Sequence, residues 1–336
     1  MFTLWHPHDD NTPNNLKYME AIKIGGYDRL VLTSPYSHNF AVNHFGVETF
    51  TSNGKTIPSG ILMEDQGGSG TALSHPEWLH FYTDLMVGVS TPINKFPFTR
   101  FTDLSMALLM DTGFYKVDYK RGKPMWWGSK ETNGGKYAKE FCTGAPQLVF
   151  PHGHIAPADR SPKLMTAGFD HSYLGYATAF DVTLPDVVKA NADYYNPNRS
   201  IYYGHPIAEY QRIILPGSEC PNNTAAVNLK AADAECLAYN CSDGEVVFSS
   251  PSIGEVKCRS LGEEAKGSNN KIVECPDPKS FCMRVGLRYE ALDKSPFEGV
   301  GGGGIEWWVI ALIVIAVVAV IAAVCITLYC FCRKDG

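Results

Sequence analysis

The alternation of hydrophobic and polar positions marks out several elements of the chain. Near the start, DRLVLTS is a short apolar run that predicts a strand. PYSHNFAVNHF follows, with proline in its first turn and Gly46 just past its end, the boundary pattern of a helix. Further on, TDLSMALLMDTG has a polar cap, apolar residues at Leu104, Ala107 and Leu108, and a terminating Gly113, which predicts a short amphipathic helix. FYKVDY then predicts a strand. Between the two helices, LMEDQGGSGTALS is expected as an irregular loop; no G-K-[ST] follows it, so it is not a phosphate cradle. From about residue 129 to 300 the chain is rich in Gly, Pro, Asn and Ser, with short β-like runs such as IILPG and EVVFSS, and a β-rich domain is predicted there.

The most sustained apolar pattern lies at the end, where residues 309–332 (VIALIVIAVVAVIAAVCITLYCFC) carry no charge. A run of that length crosses a bilayer core of ~30 Å as one helix. Trp307 and Trp308 stand at one boundary and Arg333 and Lys334 at the other, the aromatic and positive-inside arrangement for a cytosolic C-terminus. The expected organisation is therefore a glycine-rich stalk at 301–306, a transmembrane helix at 307–332 and a cytosolic tail at 333–336. Everything before Trp307 is expected outside, as a single-pass protein of the plasma membrane.

Composition adds two constraints. At 336 residues and 45% hydrophobic content the chain is long enough for two modest domains with their own cores. A net charge of −6 with no basic cluster beyond KVDYKRGK argues against nucleic acid as a partner.

Cysteine usage agrees with an exported chain. Cys142, Cys220, Cys236, Cys241, Cys258, Cys275 and Cys282 precede the apolar run, and the last six crowd together as a disulfide framework whose connectivity sequence leaves open. No C-x2-C pair is present, so zinc-ribbon spacing is absent. Cys142 stands apart, and its partner is expected in a region not contained in these residues. Asn198, Asn222 and Asn240 begin three glycosylation sequons. No apolar export signal opens the chain, and together with the odd cysteine this predicts that the sequence is the later part of a longer protein.

The sequence has 10 histidines but no H-E-x-x-H, the motif that places two zinc ligands on one helix face beside a general base. HPEWLH is a look-alike whose histidines are five apart, too far around a helix to share a metal. His152 and His154 are expected as surface-loop histidines, with a weak metal pair as the other reading.

MEDQGGSGTALSHPEWLHFYTDLM, however, resembles the segment of leishmanolysin-type zinc metallopeptidases that carries the third zinc histidine and the Met-turn. Glu64-Asp65-Gln66-Gly67-Gly68-Ser69-Gly70, Ser74-His75 and Asp84-Leu85-Met86 keep the family's order and spacing. LSMALLMDTGFYKVDYKRGKPMWWG is similar to a second family passage, and SPYSHNFAVNHFG to the segment leading into the zinc loop. Pro76 departs from the family's aromatic after the histidine, with Trp78 two positions on.

The resemblance implies an α+β protein in which residues 1–128 are the C-terminal part of a metzincin catalytic unit and residues 129–300 a cysteine-rich, β-rich domain. It implies His75 as a zinc ligand and Met86 as the apolar floor of the Met-turn. The expected function is that of a cell-surface zinc metalloendopeptidase acting on proteins or peptides, here truncated or inactive because the other zinc histidines and the general base are not in the chain. The alternative is a non-catalytic surface glycoprotein that uses the same scaffold for adhesion or ligand binding.

Overall fold

A computed structural model describes residues 18–68, 70–89, 99–181, 183–287, 291–292 and 294–297. The expected stalk, membrane helix and tail at 301–336 lie outside the described residues. Among the described residues no helix is long and apolar enough to cross a membrane.

The first strands, β1 (Met19–Ile24) and β2 (Tyr27–Leu32), form an antiparallel hairpin joined by β5 (Ile61–Leu62) at its other edge. Ile22, Ile24, Val31 and Leu32 face the interior, so the apolar run in DRLVLTS does become a strand. Between them lie helix α1 (Pro35–Phe45) and the hairpin of β3 (Thr49–Ser52) and β4 (Lys55–Pro58). Helix α1 starts at proline and ends on Gly46 in the left-handed conformation at φ 71°, a backbone state that glycine enters without steric cost.

The start of α1 is capped from a distance. Ser34 makes no side-chain cap; instead Asp111, the last residue of helix α2 (Asp103–Asp111), accepts from the Tyr36 N–H at 3.0 Å and the Ser37 N–H at 2.9 Å. The same carboxylate accepts from the Ser34 and Ser37 hydroxyls, both at 2.6 Å. A carboxylate at a helix N-terminus satisfies the orphan N–H groups and matches the helix dipole, worth about 1 kcal/mol. Helix α2 has its own cap, Thr102, which accepts from the Leu104 N–H.

One predicted strand is not formed. FYKVDY lies in irregular chain after α2, with Phe114 and Tyr115 exposed, because no neighbouring strand supplies a ladder.

The later residues contain helices α3 (Pro146–Val149), α4 (Asp186–Ala190), α5 (Ala192–Tyr195) and α6 (Pro278–Gly286) and two further antiparallel sheets. Strands β6 (Met165–Ala167), β7 (Tyr173–Ala177) and β8 (Ile214–Glu219) form one. The other is six-stranded, in the order β12 (Gly254–Cys258), β11 (Glu245–Ser250), β10 (Ala232–Ser242), β9 (Thr224–Leu229), β14 (Ile272–Glu274), β13 (Glu264–Lys266). IILPG and EVVFSS fall on β8 and β11 as expected.

The six clustered cysteines pair as Cys220–Cys236, Cys241–Cys282 and Cys258–Cys275, and Cys142 is left as a buried free thiol. Cys241–Cys282 ties α6 to the sheet, and α6 in turn holds the turn at 129–133: buried Arg284 donates to the Thr132 carbonyl at 2.8 Å and to the Phe169 carbonyl at 2.8 Å. The described residues all fall in one compact unit ending at Phe297.

Candidate functional site

The loop bearing His75 leaves β5 and is closed by one acidic residue. The Glu64 N–H donates to the His75 carbonyl at 2.8 Å, and the Glu64 carbonyl accepts from the Leu73 N–H at 2.7 Å. The Glu64 carboxylate accepts from the Gln66 N–H at 2.8 Å and the Trp78 N–H at 3.1 Å, gripping both ends of the loop. Burial pushes this carboxyl up to about 7; the two N–H groups oppose the shift, and the charges of Asp65 and Glu209 reinforce it.

His75 itself is half-buried. Its Nδ1 lies 3.0 Å from Ser74 Oγ and 3.4 Å from the Thr71 carbonyl. The Ser74 hydroxyl donates to main-chain carbonyls at Gly70 and Thr71, so its oxygen is free to accept from Nδ1–H. Acceptors around Nδ1 select the tautomer with a lone pair on Nε2, the usual arrangement of a metal-ligating histidine. Gly88 packs against the same ring, where a Cβ would stand 3.3 Å from His75 Cγ and 2.2 Å from Thr71 Cγ2, so a larger residue would push the loop away.

The Asp84-Leu85-Met86 turn is anchored from below. Asp84 is fully buried, and its carboxylate accepts from the Met86 N–H at 2.7 Å, from Ser105 Oγ at 2.7 Å and from the Thr102 hydroxyl. Burial raises its pKa against the pull of those hydrogen bonds. Thr102 and Ser105 belong to the start of α2, so the Asp84-Leu85-Met86 turn is bolted to that helix. Trp127 fixes the next stretch, donating from Nε1 to the Leu79 carbonyl at 2.8 Å and packing edge-on against Tyr82 at 5.0 Å between centroids.

Neither group of three metal-capable side chains found among the described residues contains His75. The residues present therefore fit one ligand of a zinc ion and not a complete zinc site.

One such group lies deeper, where sequence reasoning saw nothing. Glu77, His80 and Glu209 bring one ligand atom each to within 4.8 Å of one another, and Glu64, Asp65 and Glu77 do likewise. Arg29, 2% exposed, enters the cluster from β2 and pairs with Asp65 at 2.8 Å, Glu209 at 3.3 Å and Glu77 at 3.5 Å. Burial works against the Arg29 charge, and the carboxylates of Glu209, Glu77 and Asp65 more than offset it. Burial also holds Glu77 well above the ordinary carboxylate range, with Glu209 and Glu64 adding to the shift.

His80 is lowered to about 3 by burial and then by the Arg29 charge, with the Phe141 main chain pulling the other way without meeting hydrogen-bond geometry. Glu209 and Tyr210 both sit at positive φ, 48° and 62°, a left-handed backbone that costs non-glycine residues about 1 kcal/mol or more each.

HPEWLH is thus not a helix but a chain of turns, with His75 half-buried at its start and His80 in the core at its end. His152 and His154 likewise part company. His152 is exposed, but His154 is buried against Trp127 at 4.5 Å and accepts from the Gly128 N–H through Nε2, so it is a core residue and not a surface-loop one. Asn198, Asn222 and Asn240 are all exposed.

The leishmanolysin family profile matches residues 11–151, which include the His75 loop, the Met-turn, α2 and Trp127. Residues 11–151 are thus similar to the leishmanolysin family. The chain is 37% identical over 96 residues to a leishmanolysin-like peptidase of Drosophila pseudoobscura pseudoobscura, covering 28% of this chain and 13% of that one. It is 27% identical over 176 residues to a leishmanolysin homolog of Crithidia fasciculata (49% and 24%) and 36% identical over 82 residues to leishmanolysin of Leishmania donovani (24% and 12%). In these relatives the match spans a quarter of their length or less. Leishmanolysins are zinc metalloproteases, and the matched residues contain the His75 loop.

Proposed function

We propose that the chain forms part of a zinc metalloendopeptidase of the leishmanolysin type, to which it contributes His75 as a zinc ligand and Met86 as the Met-turn floor. The observation that carries this reading is the state of His75: Nδ1 is committed to acceptors in its own loop, and the ring rests against Gly88 of the Met-turn segment. In such enzymes zinc supplies Lewis-acid polarisation of the peptide carbonyl. This chain's part is to hold one imidazole at fixed tautomer and orientation, through Glu64 at both ends of the loop and Asp84 beneath the Met-turn. Proteins or peptides are the corresponding substrates.

The second reading, a non-catalytic surface glycoprotein, is favoured by one observation: the 336 residues contain no H-E-x-x-H, hence neither the paired ligands nor the general base of that motif. The two are separated by capturing the native polypeptide with antibodies raised against this chain and assaying casein hydrolysis. The peptidase reading expects hydrolysis that 1,10-phenanthroline stops and that His75→Ala abolishes, with none from the 336-residue chain alone. Native polypeptide that is folded and inert would establish the glycoprotein reading.

We also propose that the ectodomain faces outward on a single membrane crossing at 307–332. Three disulfides and three exposed sequons support an oxidising, glycosylating compartment. A glycosidase-sensitive mass at Asn198, Asn222 or Asn240 is expected; cytosolic accessibility of a tag near Gly267 would refute the topology.

A further inference from the structure

We propose that Glu77, His80 and Glu209 form a buried binding site for a divalent transition-metal ion of the zinc class, distinct from the site to which His75 belongs. Three buried polar atoms here meet no hydrogen-bond geometry. His80 is 1% exposed, and neither Nδ1 nor Nε2 has a hydrogen-bond partner; Glu77 is 1% exposed, and its Oε1 has none. Buried polar atoms are almost always paired, so a histidine that meets no full hydrogen-bond geometry, with only the Phe141 main chain acting on it, points to a ligand.

The idle atoms converge. Arg29 occupies Glu77 through Oε2 at 3.5 Å and Glu209 through Oε2 at 3.3 Å, and the Tyr194 hydroxyl donates to the same Glu209 oxygen. Each carboxylate is thereby held through one oxygen, and Glu209 Oε1 stands 3.9 Å from His80 Nδ1. Ligands on a zinc ion at about 2.0–2.2 Å lie roughly 3.3–3.5 Å apart in tetrahedral geometry. In the structure the three ligand atoms lie within 4.8 Å of one another, so binding would draw them together.

Charge favours the same occupant. Asp65, Glu77 and Glu209 share one guanidinium, that of Arg29, with the Glu64 carboxyl nearby; Glu64, Glu77 and Glu209 are buried and the Asp65 side chain is 16% exposed. Unpaired buried carboxylates are costly, and a divalent cation offsets most of the excess. One imidazole nitrogen with two carboxylate oxygens suits zinc and its neighbours, whereas calcium and magnesium prefer oxygen alone. The three residues come from the turn after His75 and from a strained segment far along the chain, so a bound ion would clamp the two together.

The test uses the full 336-residue chain, detergent-solubilised and dialysed against chelator, then titrated with Co²⁺ and competed with Zn²⁺. The proposal expects one saturable equivalent with a visible d–d spectrum in the wild type and in His75→Ala. In His80→Gln and Glu209→Gln, both checked for folding by circular dichroism, affinity should fall at least tenfold. No saturable site, or one lost in His75→Ala and kept in His80→Gln, would overturn the proposal, leaving protons to neutralise the cluster. If both cluster variants fail to fold, zinc X-ray absorption on His75→Ala decides: one imidazole among oxygens supports the assignment, and any other count sinks it. None of these readouts depends on peptidase activity.

Discussion

Replacing Asp84 with alanine should cost the fold more than any surface change in the same motif. The carboxylate receives three hydrogen bonds, from the Met86 N–H, Ser105 Oγ and the Thr102 hydroxyl, and it is wholly buried. Alanine leaves all three donors facing a void. A buried donor without a partner costs about 1–3 kcal/mol, and hydrogen bonds to charged groups lie at the upper end. The two hydroxyls can rotate toward other acceptors, whereas the Met86 amide is fixed by the turn, so the three terms do not simply add. A loss of roughly 3–4 kcal/mol follows. Asp84→Asn should cost less, roughly 1–2 kcal/mol, because one oxygen remains and only one side of the carboxylate turns from acceptor to donor. Urea unfolding followed by tryptophan fluorescence measures both, since Trp127 and Trp78 are buried beside the turn. A loss below about 1 kcal/mol for Asp84→Ala would show that the donors find other partners and that Asp84 does not anchor the Met-turn.

Two further outcomes follow from buried titratable groups. Burial holds His44 down at about 4, although its hydrogen bond to the Trp127 carbonyl opposes the shift, so the native state keeps it neutral while the unfolded chain protonates near 6.5. Its contribution is present above pH 6.5 and is lost as pH falls toward 4; the full loss is roughly 3 kcal/mol. His44→Gln should flatten the stability profile across that window, and an unchanged profile would refute the assignment. Cys142, with burial and then the charges of Glu209 and Glu77 raising its thiol, should resist iodoacetamide in the folded chain and react on unfolding. Rapid stoichiometric alkylation of the native protein, or a bridge from Cys142 to one of the six downstream cysteines, would contradict this.

What the sequence made legible was local. Pro35 and Gly46 bracket a helix because ring closure and the missing Cβ act on their own residues, and Thr102 caps α2 from one position away. The stretch from Glu64 to Met86 was legible as a family resemblance, and the family profile covers it. Six cysteines could be expected to pair, but their partners depend on strand register, so connectivity waited for the fold. FYKVDY failed because alternation describes a face and cannot supply the neighbouring strand that a ladder requires. His154 failed for the related reason that a histidine in a Gly-rich stretch gives no sign of a Trp127 arriving to cover it.

The deeper failure is the more instructive one. Glu77 and His80 stand in HPEWLH, whose histidine spacing excludes a helical metal motif. What the spacing could not show is that the stretch turns instead of coiling, which sends His75 to the half-exposed loop and His80 into the core. There His80 meets Glu209 and Arg29, residues far from it in sequence and from each other. A periodic pattern reports which residues share a face of one element; it carries no information about a side chain that enters from another. Functional chemistry assembled across elements is therefore invisible to spacing, and its signature is energetic: polar atoms buried without partners, charges outnumbering their counter-ions, and backbone held at positive φ. All three meet in the cluster of Glu77, His80 and Glu209.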